Sequence, residues 1–184
     1  MIDTPRLELI NVHKSFAQKV VLDGLDLMVA KGESVVVIGG SGTGKSVMLK
    51  CILGLLLPEK GEIKVDGEDS VGVRGVERER TLKKFGMLFQ SAALFDFMTV
   101  WENVAFGLVE GAGMDKEKAR SISLEKLSKV GLGVEIADSD PAGLSGGMRK
   151  RVGLARAIAT EPDILFFDEP TTGLDPIMGD VINN

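Results

Sequence analysis

The chain has 184 residues, 44% of them hydrophobic, with 27 acidic against 22 basic side chains and a formal net charge of -5. That leaves room for one globular domain with a real core but not for a second full domain. The acidic balance argues against a general nucleic-acid binder, which needs an excess of Lys and Arg to neutralise phosphates.

Residues 7–12 alternate apolar and polar side chains, and residues 20–29 do so again around Asp23 and Gly24, so both read as strands of a small antiparallel sheet. Phe16 lies between them, and Lys31, Gly32 and Glu33 make a turn into the apolar run 35–38, the pattern of a buried strand. A helix is expected over 45–57, ended by Pro58, then a short strand over 62–65 closed by Asp66 and Gly67. The charged stretch 69–84 reads as a loop and a solvated surface helix over 76–84. A second buried strand covers 86–89, and helices follow over 100–109, 116–130 and 146–159. A third buried strand spans 163–167. The lone cysteine, Cys51, cannot close an intramolecular disulfide and reads as a small core residue. The longest apolar run, 52–57, is far short of the roughly 18 residues of a membrane span, and residues 1–10 do not resemble a signal peptide. A soluble cytoplasmic protein is the expectation.

Residues 39–46 fit the pattern G-x-x-x-x-G-K-[ST] of a phosphate-binding P-loop: Gly39, Gly40, Ser41, Gly42, Thr43, Gly44, Lys45 and Ser46. Glycines let successive backbone N–H groups point inward at phosphate oxygens. The helix that follows adds its positive end, Lys45 brings a full charge to the β- and γ-phosphates, and the Ser46 hydroxyl can ligate Mg²⁺. At the end of the third strand stand Asp168 and Glu169. Parallel strands put their carboxyl ends on one edge, so Asp168 can approach the metal held by Ser46, while Glu169 can take a proton from an attacking water. Gln90 ends the second strand, where its amide could touch Mg²⁺ or the water; a capping or surface glutamine is the plainer alternative. Leu144, Ser145, Gly146, Gly147 and Met148 form a second glycine-opened helix start capped by Ser145, an anion site with no lysine or metal ligand of its own. Such a site makes most sense closing over a nucleotide held by another subunit.

In order and spacing, the P-loop, Gln90, residues 144–147, Asp168, Glu169 and then Gly173, Leu174 and Asp175 resemble the nucleotide-binding subunit of an ABC transporter along essentially the whole chain. The resemblance implies an α/β fold: a P-loop NTPase core with a mixed or parallel sheet, an N-terminal antiparallel β subdomain and an inserted helical subdomain. It implies one ABC ATPase domain over 1–184, its core in 1–90 and 160–184 and the helical part in 91–159. Cofactors would be ATP and Mg²⁺, with Ser46, Gln90 and Asp168 toward the metal and Glu169 and Gln90 in catalysis. Phe16 would stack on adenine, although on sequence alone it is equally a plain apolar residue. Ser145, Gly146 and Gly147 would cap the γ-phosphate of a second copy, with Asp175 at the dimer seam. Within the family, residues 88–95 and 99–106, and Met148 where most members carry Gln, resemble the ATPases of the Mla/MCE phospholipid-transport systems. That implies a membrane permease and a substrate-binding MCE-type protein as partners, no nucleic acid, and a place on the cytoplasmic face of the inner membrane.

The family continues past the end of this chain with a strand carrying a switch histidine, whereas the only histidine here, His13, lies in the first strand and reads as a surface residue. The expectation is therefore a C-terminally truncated chain that binds ATP but hydrolyses it poorly. Leu94, Phe95, Phe97, Met98 and Trp101 form an apolar cluster that is either core of the helical insertion or a groove for a permease helix. Two other functions stay open: a transport ATPase for another cargo, such as a nutrient importer, and a soluble ABC-type switch without a membrane partner.

Overall fold

Alternating side chains make two long paired strands, β1 (Leu7–Phe16) and β2 (Lys19–Val29), in the computed structural model, which describes residues 4–168. Backbone contacts divide the chain into two units, residues 1–82 and 83–184.

In the first unit, β3 (Lys60–Val65) and β4 (Glu68–Asp69) complete an antiparallel sheet of order β2-β1-β3-β4. Its buried face passes from Leu7 and Leu9 to Val12, an odd-to-even switch that requires an extra residue. Asn11 supplies it with a left-handed φ of 48°, its N–H donating to the Asp26 carboxylate at 2.7 Å. Opposite this bulge, a Cβ on Gly61 would strike the carbonyls of Ile10 and Asn11. Met48, Cys51 and Ile52 of α1 (Lys45–Ile52) are buried in this unit along with Leu22, Ile63 and Val65 of the sheet. α2 (Gly75–Lys83) buries no residue, as its charge predicts.

α1 is shorter than the expected 45–57. Gly54, at φ 64°, ends it in a Schellman motif: its N–H donates to Cys51 O at 3.0 Å and the Leu55 N–H to Lys50 O at 2.8 Å. The helix therefore stops at Ile52, six residues before Pro58, and the Arg78 guanidinium donates to Gly54 O at 3.0 Å. A second correction concerns residues 35–38, which have no ladder partner among the described residues; Val36 is 81% and Ile38 91% exposed. A parallel strand needs parallel neighbours to satisfy its backbone, and the sheet of the first unit is wholly antiparallel.

In the second unit, β5 (Phe85–Leu88) and β6 (Ile164–Phe167) pair in parallel, Leu88 opposite Phe167. Between them come α3 (Val100–Phe106), α4 (Lys116–Lys129) and α5 (Gly146–Ala159), the expected helical insertion. α3 gives way at Gly107–Gly111 to a π-helical turn. The insertion packs around Val100, Val104, Leu108, Leu127, Val152 and Leu154. Among the described residues, no helix is long and apolar enough to cross a membrane.

Candidate functional site

The loop before α1 turns on two left-handed glycines, Gly42 at φ 78° and Gly44 at φ 98°. Gly44 is the N-cap of α1 and has no side chain with which to cap it, so the first N–H groups of the helix are left for an outside acceptor. A Cβ on Gly44 would lie 3.0 Å from Val21 O and 3.2 Å from Leu22 Cδ2, so the helix start sits hard against β2. Lys45 curls back over the loop, its Nζ donating to the carbonyls of Gly39 at 2.5 Å and Gly40 at 2.8 Å. Thr43 Oγ1 donates to Gly40 O at 2.9 Å, which pins the loop from the other side. Ser41, Gly42, Thr43 and Ser46 are all exposed, while Gly44 between them is buried and Lys45 is half-buried. This gathers an ammonium group, unshared amides and the Ser46 hydroxyl at one helix start, a donor set that suits a polyphosphate. Phe16, the last residue of β1, is 45% exposed and has Lys14 Nζ 5.4 Å from its ring centroid, so its ring is open for stacking. His13 is partly buried, with Asn11 Oδ1 2.9 Å from one ring nitrogen and Asp23 Oδ1 3.3 Å from the other, more enclosed than a surface residue.

In the second unit, the sheet brings Gln90 and Asp168 to the same edge. Asp168 follows β6 directly and its N–H donates to Leu88 O at 3.0 Å, while Gln90 lies two residues beyond Leu88. The Ala92 N–H donates to Phe89 O at 2.9 Å, so Gln90 and Ser91 are the central pair of a turn, and both are exposed. Ser145 is the expected N-cap of α5: its hydroxyl accepts from the Met148 N–H at 3.2 Å, and Gly146 and Gly147 behind it are exposed. A Cβ on either glycine would meet nothing within 4 Å, so a ligand can approach the backbone there closely. The apolar cluster divides: Leu94 and Trp101 pack on the helical core, whereas Phe97 is 80% exposed. Glu169, Gly173, Leu174 and Asp175 lie outside the described residues.

Three residues important to this edge escaped the sequence reading. Asn103, fully buried in α3, ties together the backbone of residues 95–99 through hydrogen bonds of 2.7 to 3.1 Å. Gly153 and Arg156 of α5 meet the turn at Ala92 and Ala93. An arginine directly after the apolar triplet Gly153, Leu154 and Ala155 was the available signal for a partly buried cation.

The family model described as ABC transporter matches residues 22–172. The chain is 44% identical to the intermembrane phospholipid transport system ATP-binding protein MlaF of Haemophilus influenzae, covering 96% of this chain and 66% of that protein. It is also 44% identical to the glutamine transport ATP-binding protein GlnQ of Escherichia coli, over 92% of this chain and 70% of that one. It spans about half the length of other curated relatives it matches, 53% of one and 47% of another. Among solved structures it resembles the ATP-binding cassette MJ0796, captured as a dimer in a post-hydrolysis state with ADP and Pi. The TM-score is 0.83 at 34% identity, over 96% of this chain and 79% of that one. With the P-loop of the first unit, the Gln90 edge and Ser145 helix start of the second, and the family match over most of its length, the chain belongs to the ABC transporter family and has its ATPase cassette fold.

Proposed function

We propose that this chain is the ATP-binding and ATP-hydrolysing part of an ABC transporter motor that moves phospholipids between bacterial membranes. The observation that carries the ATPase reading is the pair of glycine-opened helix starts. One has an ammonium group folded over it at Lys45, and the other, at Ser145, has no acidic residue in its first turn and is capped by a hydroxyl alone. A site with lysine can hold a triphosphate by itself, whereas a site built on amides and a hydroxyl completes one held elsewhere. In the working state two copies face each other, Gly39 to Ser46 of one and Ser145 to Gly147 of the other enclosing each ATP. The related cassette MJ0796, a dimer bound to ADP and Pi, supports that arrangement. Mg²⁺, when bound, offsets charge on the β- and γ-phosphates. Ser46, Asp168 and Gln90 offer the hydroxyl, carboxylate and amide oxygens such a hard cation takes. Glu169 orients and deprotonates the attacking water, Lys45 offsets charge developing on the γ-phosphate, and Phe16 stacks on the base.

The phospholipid cargo rests on the stretches 88–95 and 99–106, on Met148 and on the MlaF relative. Amino-acid import is the second reading, favoured by equal identity to GlnQ. The partners we assign are a membrane permease on the cytoplasmic side, met in part by exposed Phe97, and an MCE-type substrate-binding protein. In the complete protein, Glu169→Gln is expected to shift to a dimer on size exclusion with saturating ATP, and Lys45→Ala to bind ATP at least about tenfold more weakly. A monomeric Glu169→Gln variant would refute the two-copy site. Lipid analysis of the purified transporter separates the cargoes: phospholipid enriched over the bulk membrane supports the first, and an unenriched preparation that stimulates hydrolysis with an amino-acid binding protein supports the second.

A further inference from the structure

Ala92 and Ala93 have φ of 62° and 46°, a left-handed backbone that a residue with a Cβ adopts only at a cost. The carbonyls of these two successive residues are both taken by a single planar group. Arg156 of α5 donates from Nη2 to Ala92 O at 2.5 Å and from Nη1 to Ala93 O at 2.8 Å. A lysine ammonium can reach two consecutive carbonyls, as Lys45 does at Gly39 and Gly40, but it lacks the planar fork that fixes the direction of both bonds. The guanidinium also lies 5.9 Å from the ring centroid of Phe95, and its burial lowers the pKa of the group from its ordinary value. One turn earlier on α5, Gly153 makes the room: a Cβ there would stand 3.0 Å from Ala92 Cβ and 3.0 Å from Leu88 Cδ1. Ala92 is fully buried as a result. Its N–H closes the turn on Phe89 O that carries Gln90 and Ser91. Downstream, the backbone N–H and C=O of Phe95 are held by Asn103.

We propose that Arg156, seated by Gly153, is a positioning residue that acts through Gln90: by gripping Ala92 and Ala93 it fixes the direction in which Gln90 leaves the β5 edge beside Asp168. The inference rests on the role given to Gln90 above. Without the grip, Ala92 relaxes out of the left-handed region and the turn loses its closing bond. The Gln90 amide then no longer stands where a metal or water can meet it. Since Arg156 sits on the helix that begins at Ser145, the same contact ties the helix start meant for a second copy's nucleotide to the edge that serves the chain's own.

The test is a double-mutant cycle in the complete protein, measuring kcat, ATP affinity and thermal unfolding. Arg156→Met keeps the apolar stem and removes both donors; Arg156→Lys keeps charge and fold and loses the fork. Arg156→Met is expected to lower kcat by about 10- to 100-fold, as misplacement of a reacting group does, with ATP affinity changed by less than about twofold. Arg156→Lys is expected to fall between. In a Gln90→Ala background, already slow, Arg156→Met should cost less than about twofold more, because the group it positions is gone. Equal fold-losses in both backgrounds, or a loss confined to ATP affinity, would overturn the positioning role while leaving Gln90 its own. A Gln90→Ala variant with undiminished kcat would remove the catalytic role of Gln90, and this inference with it. If Arg156→Met does not fold, Arg156→Lys decides the cycle by the same criteria.

Discussion

Asn103 is the clearest place to test how the loop between β5 and α3 is held. It is fully buried, and its Oδ1 accepts from the Phe95 N–H at 2.7 Å. Three carbonyls, of Phe95, Met98 and Thr99, lie 3.0 to 3.1 Å from Nδ2. An amide nitrogen has two hydrogens, so it serves two of these carbonyls at a time, and the side chain is worth three hydrogen bonds in all. At about 1 kcal/mol net for each, Asn103→Ala should cost about 3 kcal/mol, with admitted water offsetting part of the cost of the orphaned groups. Asn103→Asp is nearly isosteric but sets a carboxylate against carbonyls that need a donor. It should be at least as damaging at neutral pH. Burial raises its folded pKa, so that variant should regain stability as pH falls and the acid becomes a donor. Urea unfolding followed through the single tryptophan, Trp101, two residues away on α3, reads both variants. A loss under about 1 kcal/mol for Asn103→Ala, or Asn103→Asp as stable as the parent at pH 7, would refute the network.

Two further predictions concern the helix starts. Thr99 and Glu102 form a reciprocal capping box on α3, the Thr99 N–H and hydroxyl each lying 2.8 Å from Glu102 Oε2. The hydrogen bond from the Thr99 backbone, then that from its side chain, holds the Glu102 carboxyl below the usual range. Its contribution is therefore fully present above the unfolded value near about 4.3 and is lost as pH falls through the lower folded value. Glu102→Gln should flatten that acid limb of the urea midpoint while leaving the slope between pH 6 and pH 8 unchanged; an identical acid limb would dismiss the box as a source of stability. Gly44→Ala forces a Cβ into a backbone at φ 98° and to within 3.0 Å of Val21 O. It should strain the helix start by about 2 kcal/mol and weaken ATP binding by calorimetry, whereas unchanged affinity would show that the loop does not need that conformation.

What could be read from the sequence was whatever a residue type enforces locally. α5 was legible to the residue at both ends, because Ser145 is a strong cap and the apolar period runs unbroken to Ala159. The end of α1 was misplaced because Pro58 drew attention from Gly54, whose Schellman geometry acts first. Residues 35–38 have a strand's composition, yet composition cannot supply the neighbour that a strand requires. The P-loop was visible because its glycines are unusual; the Gln90 turn was only half visible, because alanine carries no mark of a left-handed φ and Ala92 and Ala93 are held in it by contacts from elsewhere.

Those contacts make α5 more than a core helix. Its N-terminus presents Ser145, Gly146 and Gly147, and about 15 Å along it, roughly ten residues on at about 1.5 Å rise each, Arg156 grips the Gln90 turn. Between these points and the sheet, glycine is used twice to allow close approach. Gly153 admits Ala92, and a Cβ on Gly86 of β5 would collide with Ala157 O and lie 2.7 Å from Leu165 Cδ2. Close-packed surfaces of this kind have no slack for sliding, because a small displacement in any direction meets hard-sphere contact or opens a void. The Ser145 cap and the grip on the Gln90 turn therefore stand on one helix, packed closely against the β5 edge.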